Sequence, residues 1–246
     1  MNPSLLWELG LQDYGLKPNN ISELGERTLL VTKFNWDYTQ AHRFQRHALE
    51  LLEKNAGLRI IICCSHPRCF TNGRGLQKPR KGEVLDLVEF DPKLSSTLPF
   101  PFHQIERGGG LTFHHPGQLI IYPVIRLNPK VLSLSKMIND LFDFAIDVLK
   151  DWGVSGLNHE NKLLGLWHEN KKLASMGIAI EKLTTFHGMA LNFYKDEEMK
   201  SALRLVNPCG LNADTYTSVE ELTQLDGKTL ENFAELFIGR LRSSWS

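Results

Sequence analysis

The sequence predicts an α/β (α+β) domain built on a mixed β-sheet flanked by helices. Three observations carry this. Apolar runs of strand length alternate with stretches of helical periodicity. Two of the runs are joined by a short polar turn, as in a hairpin. The length, 246 residues, suits one domain with at most a small annex at about 150 residues per domain.

In chain order, residues 1–26 show no clear core pattern and read as an added strand or arm. Residues 28–34 read as a strand, and Asp37 then has the chemistry of a helix N-cap. The segment after it places Ala41, Phe44, Ala48, Leu51 and Leu52 on one helical face, with Gly57 beyond its end. Residues 58–64 form a continuous apolar run of the kind a buried strand uses. The stretch 75–101, rich in Pro, Lys and Ser, reads as a long surface loop. Residues 119–125 are another strand candidate. A second helix is expected after Ser135, with Ile138, Leu141, Phe142, Ala145 and Leu149 on one face and Gly153 after it. Residues 162–167 and 172–180 form the hairpin around a turn at 168–171, and residues 183–193 add a strand. Ser218 and Glu221 have capping-box spacing, and Leu230, Phe233, Ala234, Phe237 and Leu241 form a last apolar face.

Composition narrows the function. With 28 Lys+Arg against 28 Asp+Glu the formal net charge is zero, which argues against a basic glove for nucleic acid or an acidic tail. A 42% hydrophobic, 23% charged chain is ordinary globular protein. Four cysteines, two of them adjacent, are too few for a disulfide framework and indicate a reducing compartment. The first residues lack a signal or transit pattern, and no stretch reaches the roughly 18 apolar residues of a membrane span. The expectation is a cytoplasmic protein that binds neither membrane nor nucleic acid.

The densest chemical signal is Arg107-Gly108-Gly109-Gly110-Leu111-Thr112-Phe113-His114-His115-Pro116-Gly117-Gln118. Consecutive glycines let backbone N–H groups approach a partner closely. Arg107, Thr112, His114 and Gln118 supply donors beside that bare backbone. The plain alternative is a surface turn. No GxGxxG or Walker pattern accompanies the glycines, so a nucleotide site has little support. Cys63, Cys64, His66 and Cys69 superficially resemble a metal cluster, but no second ligand pair answers them. They read as small buried side chains, and no metal or cofactor is expected. Cys209 sits between Pro208 and Gly210 on a tight turn, either as a nucleophile or as a passive turn cysteine. Lys172 opens a strand, where a lysine is usually just solvated.

Taken together, these motifs resemble the lipoyl (octanoyl) transferases that act on acyl carrier protein. Four blocks match in order. They are His66-Pro67 with residues 70–74, residues 107–123, residues 172–177 with 187–192, and Pro208-Cys209-Gly210 followed by Thr217-Ser218. The resemblance covers roughly residues 29–237. It implies the fold of biotin and lipoate protein ligases, with residues 29–246 as one catalytic domain and residues 1–28 as an extension. It further implies that Cys209 takes an octanoyl group from acyl carrier protein as an enzyme thioester, and that Lys172 depresses the thiol pKa or shuttles its proton. Arg107, Gly108, Gly109, Gly110, Leu111, Thr112, Phe113 and His114 match substrate-lining positions, as do Ser175, Met176, Gly177, Gly188, Met189 and Ala190. Backbone N–H groups of these segments would hold an oxyanion, and His187 and Gln118 would support them. The acceptor is a lysine of a lipoyl domain, in a 2-oxoacid dehydrogenase or the glycine cleavage H protein, and no ATP is needed. The chain departs from the pattern at His115, where the family has Gly, which bears on pocket shape and chain-length preference. The 75–101 loop is also long for the family. Two other readings use the same residues: an ATP-dependent lipoate- or biotin-type ligase, faintly echoed in residues 71–80, and a non-catalytic acyl- or protein-binding relative. A ligase has no need of Cys209.

Overall fold

The two most continuous apolar runs in the chain lie next to each other at the middle of an eight-stranded sheet. The computed structural model describes residues 8–75, 90–160, 164–206 and 213–245. Its elements are β1 (Ile21–Gly25), β2 (Thr28–Lys33), α1 (Tyr38–Lys54), β3 (Arg59–Cys64), β4 (Cys69–Gly75), β5 (Phe102–Gln104), β6 (Gly109–His114), β7 (Gln118–Val124), α2 (Leu134–Asp151), β8 (Leu157–Glu160), β9 (Gly165–His168), β10 (Lys171–Glu181), β11 (Thr184–Asn192), α3 (Glu197–Val206), α4 (Val219–Leu222) and α5 (Leu230–Trp245). The large sheet runs β1-β2-β3-β7-β11-β10-β9-β8, and a small sheet runs β5-β4-β6. The β2–β3 pair is parallel and the other pairs of the large sheet are antiparallel. The predicted mixed sheet is therefore present, and β9–β10 is the predicted hairpin.

Strand alternation sorts the side chains onto two cores. Ile61, Cys63, Leu119, Ile121, Ala174 and Leu191 face α2 and α5. Ile60, Ile62, Ile120, Tyr122, Val124 and Ala190 face α1. Asp37 caps α1 by accepting the Gln40 N–H at 2.9 Å, and the five apolar residues expected on that helix are all buried. The Ser218–Glu221 capping box forms as well. A third apolar cluster joins the small sheet to α3 through Phe70, Leu111, Phe113, Met199 and Leu203.

Three expectations need correction. Helix α2 begins two residues earlier than expected, because the Ser133 hydroxyl rather than that of Ser135 accepts a first-turn N–H, from Lys136 at 3.2 Å. Residues 90–101 are more than a surface loop, since Phe90, Leu98 and Phe100 pack on the third cluster; residues 76–89 lie outside the described part. Residues 8–26 do carry core contacts: Leu9, Leu16, Ile21 and Leu24 are buried. Their spacing follows turns and one edge strand, so no single periodicity exposes them. Among the described residues no helix is long and apolar enough to cross a membrane.

Candidate functional site

Arg107 organises the glycine loop from inside. Its guanidinium is buried and donates to the carbonyls of Gly108 (3.1 Å), Gly110 (3.0 Å) and Thr71 (2.9 Å), and to Thr71 Oγ1 (2.8 Å). The side-chain stem lies over Gly177, where an added Cβ would come within 2.7 Å of Arg107 Cδ. Gly108 donates its N–H to the Ile178 carbonyl at 3.1 Å, which ties the loop to β10. That N–H is therefore already engaged, and the oxyanion role expected of the loop amides does not fall to Gly108.

From Thr71 a single-direction hydrogen-bond chain crosses the site. The Thr71 hydroxyl donates to His114 Nε2 (3.2 Å), and His114 Nδ1–H donates to Gln118 Oε1 (3.0 Å). Gln118 Nε2 then donates to Asn192 Oδ1 (2.9 Å), and Asn192 Nδ2 to the Thr217 carbonyl (3.0 Å). Thr217 N–H donates to the Lys172 carbonyl at 3.1 Å. The amide orientation of Gln118, fixed by its bonds to Phe113 O and Asn192, assigns the proton of His114 to Nδ1. Burial holds His114 well below its ordinary pKa, so the ring stays neutral and the chain keeps one polarity.

The cleft beside this chain is narrow, with a cavity volume of about 30 Å³. Arg107, Thr112, His114, Ser175, Met176, Gly177, His187, Gly188, Met189 and Ala190 line it, together with Tyr38 and Tyr122. Gly188 faces Gly177 across the β10–β11 pair, and an added Cβ at Gly188 would lie 2.1 Å from the Ile121 carbonyl. Bare backbone thus forms the floor. Leu111 and Phe113, expected on the lining, instead pack into the third apolar cluster, because alternate residues of β6 face opposite sides. Gly109 and Gly110 shape the turn rather than the lining, with Gly109 at φ 84°. His115 is buried but away from the cleft, its Nδ1 accepting the Gly117 N–H at 3.2 Å and lying 3.7 Å from Asp196. The departure from the family pattern therefore does not fill the pocket.

His187 breaks the alternation of β11. Its φ of 58° is uncommon for a residue with a side chain, and the ring turns toward α1 instead of away from it. There it stacks on His42, with centroids 5.3 Å apart, and brings Nε2 to 3.6 Å from Glu106. Gln45 Oε1 accepts the His187 N–H at 2.7 Å and holds the turn. Burial pushes His187 down to about 4, while the approach of the His187 ring is the main cause that holds Glu106 at about 2. At neutral pH the carboxylate is ionised and the ring neutral. Deeper in, His66 donates from Nδ1 to the Trp36 carbonyl (2.7 Å) and accepts at Nε2 from the Tyr122 hydroxyl (3.0 Å). It too is pushed to about 4 by burial.

Lys172 is buried, with Nζ 5.4 Å from the centre of the Trp167 ring. A bulge places it. Lys172 pairs with Trp167 and Ala174 with Leu166, so Leu173 is the extra residue. Ala174 and Leu166 belong to the core under α2 and α5. The bulge sends Lys172 to the opposite face, the one that Ser175 and Gly177 share with the cleft. Tyr216 bridges to Lys172, so the chain that follows residues 207–212 returns to this lysine. Cys209 itself lies outside the described residues. Cys63, Cys64 and Cys69 are free thiols buried in the core, and burial raises the pKa of all three.

Residues 37–242 match the lipoyl protein ligase A/B catalytic domain family. The chain belongs to this family. A Nostoc octanoyltransferase is 34% identical over 85% of this chain and 91% of its own length. One from Syntrophobacter fumaroxidans is 32% identical over 77% and 78%. Among solved structures, lipoate-protein ligase A bound with ATP superposes with a TM-score of 0.61 at 13% identity, covering 89% of this chain and 84% of that one. The bipartite lipoate protein ligase of Thermoplasma acidophilum also gives 0.61 at 13% identity, over 87% and 82%. These two likenesses establish the shared fold.

Within this lipoyl ligase A/B domain, sequence reasoning missed Tyr38, Tyr122, His42, His66 and Glu106 as parts of the site. The signal was present for two of them. Tyr122 is the one polar-tipped side chain in the apolar run of β7, and Tyr38 opens α1 directly after its cap. Nothing local marks His42 or Glu106, whose role comes from the unusual φ of a residue about 80 or more positions away.

Proposed function

We propose that this chain is an octanoyltransferase that modifies lipoyl domains, working through a Cys209 thioester. The observation that carries the reading is the cleft: a glycine-floored slot walled by neutral histidine and tyrosine, with the Arg107 cation turned to backbone carbonyls, on the sheet face that also carries Lys172. Its bare backbone with Met176, Met189 and Ala190 suits an acyl chain, and among the described residues that line it Arg107 is the single lysine or arginine. The octanoyltransferase relatives match over most of both chains, and their names supply the acyl group.

In the proposed course the Cys209 thiolate attacks the thioester carbonyl of an octanoyl donor, taken to be acyl carrier protein. The acyl carbon bonds to Cys209 as its bond to the donor sulfur breaks, and that sulfur leaves as a thiol with the proton Cys209 had given up to Lys172. A lysine amine of the acceptor lipoyl domain then attacks the enzyme thioester. An amide forms, the C–S bond to Cys209 breaks, and the amine proton passes to a base, for which Lys172 is proposed. Arg107, Gln118 and His114 hold the wall in place throughout. The reading includes a cytoplasmic setting, consistent with buried free thiols.

The test is mass spectrometry of the purified chain mixed with octanoyl-acyl carrier protein. An octanoyl adduct on Cys209, absent from Cys209→Ser and passed on to an apo lipoyl domain, is expected. No adduct, together with acylation that requires free octanoate and ATP, overturns the thioester reading.

A further inference from the structure

We propose that His42, Glu106 and His187 form a binding site for a divalent transition-metal ion of the zinc type, at the rim of the cleft. Their donor atoms converge from α1, from the loop between β5 and β6, and from β11. His42 Nε2 lies 2.9 Å from Glu106 Oε2, and His187 Nε2 lies 3.6 Å from the same oxygen. One atom from each residue falls within 4.8 Å of the others. Ligands at ~2.0–2.1 Å from a tetrahedral ion stand about 3.3 Å apart, so small side-chain adjustments close the triangle. Two imidazoles and one carboxylate favour zinc-like ions over magnesium or calcium, which prefer an all-oxygen shell.

A second observation points to a ligand. His187 is almost wholly buried. Its Nε2 is too far from Glu106 for a hydrogen bond and has no other partner among the described residues. The chain also holds this residue in a left-handed conformation, braced by Gln45, so as to aim that nitrogen at Glu106. A buried unsatisfied nitrogen and an unusual φ are both unfavourable, and such features collect at functional sites. An ion bound here satisfies the nitrogen and pins α1 to β11. Access is open, because His42 and Glu106 are only half-buried. The fourth coordination position is left to water or to a group entering the cleft.

The experiment titrates the full chain with Zn²⁺ by calorimetry and with Co²⁺ by visible absorption. A single saturable site per chain is expected, with an intense tetrahedral Co²⁺ band and no response to Mg²⁺. His187→Ala risks misfolding, so the diagnostic variants are His42→Ala and Glu106→Gln. Each is expected to weaken binding at least tenfold while circular dichroism stays unchanged. Cys209→Ser is expected to keep the site. Absence of saturable binding overturns the proposal, as does binding untouched by the first two variants or abolished by the third. None of these readouts depends on acyl transfer.

Discussion

Replacing Arg107 with Met separates two roles for this residue. If Arg107 chiefly greets substrate, its loss weakens substrate binding and leaves the fold intact. The structure instead has it bracing the loop. Met keeps the apolar stem over Gly177 and removes four hydrogen bonds, to the carbonyls of Gly108, Gly110 and Thr71 and to the Thr71 hydroxyl. Hydrogen bonds to charged groups contribute about 1.5–3 kcal/mol each. Desolvating the buried cation offsets several kcal/mol of that sum, so a net loss of about 3 kcal/mol is expected. At ~2–4 °C per kcal/mol for a chain of this size, the melting temperature falls by roughly 6–12 °C. Urea unfolding followed by circular dichroism and by tryptophan fluorescence measures it, with agreement of the two probes guarding the two-state assumption. Arg107→Lys restores only part of the loss, since an ammonium does not span four acceptors in two directions. A loss below about 1 kcal/mol with a raised KM for the acyl donor would refute the reasoning.

Three further outcomes follow from the geometry. His66 titrates at about 4 in the folded chain and near ~6.5 when unfolded, so the unfolded state binds more protons between those values. Stability is full above pH ~7 and declines as pH falls through this window, by about 2 kcal/mol at pH 5 from His66 alone; a flat urea midpoint from pH 7.5 to 5 contradicts this. Gly188→Ala drives a methyl toward the Ile121 carbonyl and Pro123, forces β7 and β11 apart, and costs about 1–3 kcal/mol or more; an unchanged melting temperature would show that the strands yield freely. His115→Gly, with the ring behind rather than in the cleft, lowers stability but leaves the ranking of hexanoyl, octanoyl and decanoyl donors as it was. A changed ranking in kcat/KM overturns the assignment of His115 to the outer side.

Periodicity reported the scaffold well because burial enforces it. The face of α1, the strand pair β3 and β7, and the Asp37 and Ser218 caps all follow from apolar spacing and local donors. The cleft was legible where chemistry and strand parity coincide, as at Thr112 and His114. Leu111 and Phe113 show the limit, since a motif is contiguous in sequence whereas a strand divides it between two sides. His187 was legible as a residue of interest but not in its partners. Parity sends its ring one way and φ sends it the other. Residues 8–26 hid their core contacts because three leucines and one isoleucine spread over turns and an edge strand make no period.

The extra residue at Leu173 sets a rule for how this strand tolerates changes in length. Removing Leu173 would turn the bulge into regular pairing, keep Lys172 opposite Trp167 on the cleft side, and cost the apolar layer beneath α2 and α5 one leucine. Inserting one residue beside the retained bulge would instead turn the ammonium into that layer. Inserting two returns the lysine to its side but carries it a full strand repeat, about 7 Å, along the sheet. The position of Lys172 is therefore protected less by which residues neighbour it than by how many, and counting, not chemistry, is where drift in this segment would first be felt.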